Sequence, residues 1–192
     1  MFDGSTDSDA QEYYRVLNSL TSEFPDFRIV EKSQSKLMRV IDLLLKVTTF
    51  GRMSKFMTSY TTTIGYTVYT HSTWENDQYL SRATTLRHEA VHMRQRKRWG
   101  FLLFAFAYLF FPFPVIFAAC RRKFEQEGYE ETLRCYAEYY GIHVLWSPAL
   151  RQVMVRHFLT ASYFWMWPFR KSVEDWYDGF VDSLEKQNGK AG

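Results

Sequence analysis

The chain has 192 residues, 46% apolar and 23% charged, so it can bury a sizeable core and is too apolar for a disordered chain. Its formal charge of +3 and the lack of a long basic run argue against nucleic acid as a partner. Cys120 and Cys135 form neither a CxxC pair nor a disulfide framework, and the start is polar and acidic rather than signal-like, so a cytoplasmic protein is expected.

A single domain spanning 1–192 is expected, with 1–9 as a disordered acidic leader. Residues 10–24 place Tyr14, Leu17, Leu20 and Phe24 at helical steps before Pro25. A short extended piece at 27–30 leads to a second helical pattern at 36–47, whose Leu37, Val40, Ile41, Leu44 and Leu45 suggest a mostly buried helix. Between 58 and 70 the chain is dense in Thr, Tyr, Ile and Val, and Ile64, Tyr66, Val68 and Thr70 alternate as in one strand. Helical spacing returns at 81–98, with Ala83, Leu86, Ala90 and Met93 on one stripe.

Residues 99–120 carry no charge, a length close to a membrane span of ~20 residues. Pro112 and Pro114 divide the stretch, and basic residues flank both ends, so an apolar helical hairpin fits better than a crossing. Buried in protein, this hairpin would be covered by C-terminal helices at 147–187. Exposed, it would offer a membrane surface together with the aromatic run 163–169. Residues 121–141 read as a helix ending at Gly141, Ser147-Pro148 opens the next, and Ser172-Val173-Glu174-Asp175 has the pattern of a capping box for the last. These elements predict a mainly helical α+β fold with a small antiparallel sheet beside the 81–98 helix and an apolar helical hairpin insert.

The chemical signal is His88-Glu89-Ala90-Val91-His92, an HExxH motif inside a helical pattern. Four-residue spacing puts both imidazoles on one face, one turn apart, as two ligands of one zinc ion require. At this composition the motif arises by chance with a probability on the order of 1%. A catalytic zinc site takes three protein ligands and leaves a position for water, on which Glu89 would act as base. The third ligand must come from elsewhere, and the acidic stretch 125–131 offers Glu125, Glu127, Glu130 and Glu131.

Here the chain resembles the gluzincin metallopeptidases, in which HExxH is followed by a helix reading Glu-x-x-small. The resemblance covers about residues 50–141, from the Thr-rich strand through HExxH, Gln95, the aromatic segment and Phe124-Glu125-Gln126-Glu127-Gly128-Tyr129. It implies a minimal gluzincin-like metallopeptidase domain with its core at 58–141, a Zn2+ cofactor and a peptide or protein substrate. On that pattern His88, His92 and Glu125 hold the metal, Gly128 is the small residue, and Glu127 is the runner-up ligand. Larger gluzincins carry an Asp four residues after the ligand glutamate, where this chain has Tyr129. Gln95, Tyr129, Tyr136 and His143 are the candidates for support of the metal or for oxyanion donation, with Tyr139, Tyr140 and His157 behind them. The family's substrate strand would fall to Ile64, Tyr66 and Val68.

A non-catalytic reading competes: a membrane-associated or assembly protein whose zinc only ties helices together. A weaker one uses the basic residues at 94–98 with the aromatics at 163–169 to bind an anionic surface.

Overall fold

The computed structural model describes residues 4–48, 56–59, 61–100, 116–159 and 169–189. The chain is mainly helical with one three-stranded sheet. In order come α1 (Gly4–Glu23), β1 (Arg28–Glu31), α2 (Lys36–Thr48), α3 (Phe56–Ser59), β2 (Thr62–Ile64), β3 (Thr67–Thr70) and α4 (Tyr79–Trp99). Then follow α5 (Ile116–Tyr140), a 3-10 segment (Ile142–Trp146), α6 (Pro148–Leu159) and α7 (Arg170–Asn188). Where the sequence reads as one domain, the chain divides into two compact units, 1–94 and 95–192. Helix α1 begins at Gly4, inside the acidic leader.

In the first unit, Ala83, Leu86, Ala90 and Met93 are all buried, so the stripe predicted for α4 is its core face. Tyr13, Val16, Leu20 and Phe24 of α1, Val68 of β3 and Trp74 complete this core. The face of α1 is rotated from the predicted one: Tyr14 points out and Tyr13 points in, where its hydroxyl accepts a 2.8 Å hydrogen bond from Arg82.

The sheet differs from expectation in two ways. It is mixed rather than antiparallel, because β1 pairs parallel with β3 while β2 pairs antiparallel with it. A parallel neighbour needs a long crossover, and the segment containing α2 supplies it. The predicted single strand is instead a hairpin, since Gly65 adopts φ 69 and lets Gly65-Tyr66 reverse the chain so that Ile64 faces Thr67. Alternation across a two-residue turn mimics an unbroken strand, which is why the pattern misleads.

Helix α2 also departs from its reading. Met38 is buried and Ile41 and Leu45 are half-buried, but Leu37, Val40, Leu43, Leu44 and Val47 are exposed. An apolar surface all round a helix suggests burial from sequence, yet among the described residues the buried side of α2 is the one that carries Met38, Ile41 and Leu45.

In the second unit, Tyr129 and Leu133 of α5, Leu145 of the 3-10 segment, Val155 and Phe158 of α6, and Val173, Tyr177, Val181 and Leu184 of α7 belong to one core cluster. Gly141 ends α5 at φ 88, and a Cβ there would sit 2.9 Å from the His143 ring. Pro148 opens α6 as its first residue. The capping box predicted for α7 does not form: the helix starts at Arg170, and the Ser172 hydroxyl accepts a 2.9 Å bond from Arg122 instead. Glu130 accepts a bond from the Trp176 indole at 3.0 Å.

The hairpin expected at 99–120 and the aromatic run 163–169 fall largely outside the described residues. Among the described residues, no helix is long and apolar enough to cross a membrane.

Candidate metal centre

Helix α4 carries the HExxH motif in its middle, away from fraying ends. One helical turn separates His88 from His92, so both rings project from the same side, and their Nε2 atoms lie 3.2 Å apart. Two nitrogens bound tetrahedrally at the usual 2.0–2.1 Å sit about 3.3 Å from each other, so this spacing suits one shared zinc-sized ion. The motif is also largely dry: His92 and Glu89 are each 8% exposed.

Helix α5 contributes Glu125, 7% exposed. Among the described residues, His88, His92 and Glu125 form a group whose ligand atoms all lie within 4.8 Å of one another, and this group could hold a metal ion. Two imidazoles and a carboxylate are a donor set of borderline character that transition-metal ions such as zinc accept.

Gln95 has a distinct task. It is 4% exposed, and its amide donates to the Phe124 carbonyl at 3.1 Å and to Glu127 Oε2 at 2.8 Å. It therefore fixes the backbone immediately before Glu125 and engages the carboxylate of the runner-up ligand. Gly128 is buried within α5, and its carbonyl accepts the Thr132 hydroxyl at 3.3 Å.

The remaining candidates separate by helix geometry. Tyr129 lies one turn after Glu125, buried, with its ring 5.2 Å from that of His157 and 5.3 Å from that of Phe158. Tyr136 lies eleven residues beyond Glu125, about 16 Å along α5 at 1.5 Å per residue. Burial pushes its phenol above the usual range, and its ring lies 6.0 Å from that of Tyr140, tilted by 58°. His143 is exposed and sits beyond the far end of α5, so neither it nor Tyr136 reaches Glu125. Tyr139 and Tyr140 share that remote end. His157 is drawn to Tyr129 by the packing of α6, which sequence spacing does not reveal.

The strand residues also divide. Ile64 lies in β2, Tyr66 in the turn and Val68 in β3. Both edges of β3 are occupied, by β1 and β2, so no extended chain can add to it. Among the described residues, the outer edges of β1 and β2 are the sheet edges without a paired strand, and that of β2 belongs to the hairpin.

One residue near the motif has no counterpart in the sequence reading. Lys32 is fully buried, and its ammonium donates to the Phe56 carbonyl at 2.8 Å and lies 3.9 Å from the centre of the Phe56 ring. Burial pulls it down from 10.5 to about 8, while the negative charges of Glu89 and Asp42 pull it back up. A cation is thus placed within electrostatic reach of the HExxH glutamate, from a segment 57 positions earlier.

This coupling predicts a pH dependence of stability. Below pH 8 the folded and unfolded chains both carry the Lys32 proton, and the burial penalty acts in full. Between about 8 and 10.5 the unfolded chain keeps the proton and the folded chain sheds it, so stability attributable to Lys32 rises with pH. Urea unfolding of the parent and of Lys32→Met across that interval should show the parent gaining on the variant, by an amount on the order of 1–3 kcal/mol. A constant difference between the two would refute the coupling.

Comparison of the chain with family models, with curated proteins and with solved structures returns no match.

Proposed function

We propose that the protein is a zinc-dependent metallopeptidase in which His88, His92 and Glu125 hold the metal and Glu89 is the general base. The observation that carries this reading is the convergence of three ligand atoms within 4.8 Å, with the HExxH glutamate buried on the same helix as the two histidines. The resemblance to gluzincins supports it, because that pattern selects the same glutamate from four nearby candidates.

A zinc ion bound there would bring the pKa of a water towards ~7 and polarise the carbonyl of a peptide. Glu89 takes a proton from the attacking water and delivers it to the amine nitrogen as the C–N bond breaks. Lys32 places a cation within electrostatic reach of Glu89. Gln95 keeps the Glu125 backbone in place through the Phe124 carbonyl. Tyr129, one turn beyond Glu125, supplies a hydroxyl on that side of α5, and the free edge of β2 would hold an extended substrate.

The test is digestion of a mixture of unstructured peptides by zinc-loaded protein, read by mass spectrometry. New peptide termini should appear, cease on chelation and return when zinc is restored. Fully zinc-loaded protein that cuts nothing in the mixture would overturn the enzymatic reading.

A further inference from the structure

Helix α2 carries a second surface that the metal centre does not use. Leu37, Val40, Leu43, Leu44 and Val47 are between 49% and 65% exposed. At 3.6 residues per turn they cover a continuous arc of roughly 120°, the width of a full apolar face rather than a scatter of single residues. Met38, Ile41 and Leu45 on the opposite side already anchor the helix to its own unit. Among the described residues this stripe faces outward, and large aliphatic side chains in contact with water are costly.

The charges around this stripe indicate its occupant. Arg39 and Lys46 are exposed along one border, and Lys36 sits at its start. Lys46 forms an ion pair with Asp42 at 2.6 Å, on the side turned away from the stripe. Over 36–48 α2 holds three basic residues and one acidic residue, so the helix itself carries a formal charge of +2. An apolar face bordered by cations is the form of a helix that lies in the plane of an anionic bilayer. A two-fold pairing of the same face with a second copy would set these like charges against each other.

We propose that α2 is an in-plane membrane-binding helix that seats its Leu37, Val40, Leu43, Leu44 and Val47 face in an anionic lipid surface. The inference is independent of the metal centre and of any peptidase activity.

Flotation of the full-length protein with phosphatidylserine-containing vesicles, against vesicles of phosphatidylcholine alone, tests it. The parent should float with the anionic vesicles and more weakly with the neutral ones. Val40→Glu should weaken flotation at least ~10-fold, because an aliphatic side chain is lost from the buried face. Arg39→Gln should weaken it about fivefold, and added salt should weaken it further. Both positions are exposed, so thermal unfolding of the two variants should match the parent. Failure of the parent to float with anionic vesicles would overturn the proposal. So would variants that float like the parent, which would assign binding to 99–120 or 163–169. A parent that scatters light as a dimer, becomes monomeric with Val40→Glu and ignores vesicles would assign the face to self-association.

Discussion

Glu89→Gln should abolish peptide hydrolysis and leave zinc content unchanged. Glutamine keeps the size and shape of the side chain, so the site, where Glu89 is 8% exposed, has no cavity to fill and no clash to relieve. What it loses is the capacity to accept a proton from water and return it to the leaving amine. General-base catalysis contributes about 10²–10⁴-fold, so a fall of at least ~100-fold is expected in the rate on any peptide the parent cleaves. Metal retention follows because the residues proposed to hold the metal are His88, His92 and Glu125, the group that could hold an ion. Steady-state rates and elemental analysis on the same preparations decide the matter, and full activity in the variant would remove Glu89 from the mechanism.

The second large effect is on the metal itself. Glu125→Ala removes a proposed ligand and should weaken zinc binding by more than the 10–100-fold that loss of an outer hydrogen-bond partner costs. Glu127→Ala should retain one zinc per chain, because the Glu127 carboxylate is engaged by the Gln95 amide at 2.8 Å. That variant should lose affinity only through the freed Gln95. Competition titration against a chelator measures both. If Glu127→Ala empties the site and Glu125→Ala does not, the ligand assignment is reversed, and with it the Glu-x-x-Gly resemblance.

Much of the candidate site was legible because its information is local. His88 and His92 are one turn apart in any α-helix, and the Ala83, Leu86, Ala90, Met93 stripe shows which side of that helix is inside. The choice of Glu125 over its neighbours rested on a short helical pattern in the same way. The errors have a common cause in non-local pairing. A hairpin with a two-residue turn keeps strand-like alternation, which hides Gly65 as the reversal point. The parallel partner of β3 lies on the far side of α2, and nothing in either strand records it. Tyr136 shares a face with Glu125 on a helical wheel, yet eleven residues along α5 set it about 16 Å away, a separation that the wheel does not record.

By itself the sequence determined the HExxH helix, its buried stripe, the acidic helix that follows and the helix ends at Gly141 and Pro148, because each depends on steps of three or four residues or on a single backbone conformation. Only the tertiary structure decided that Lys32 sits under the charge of Glu89, that Gln95 holds Phe124 and Glu127, that the sheet is mixed, and that one face of α2 is left to solvent. Those outcomes depend on which surfaces meet after long stretches of chain close upon themselves, and helical or strand periodicity carries no record of the partner across such a loop.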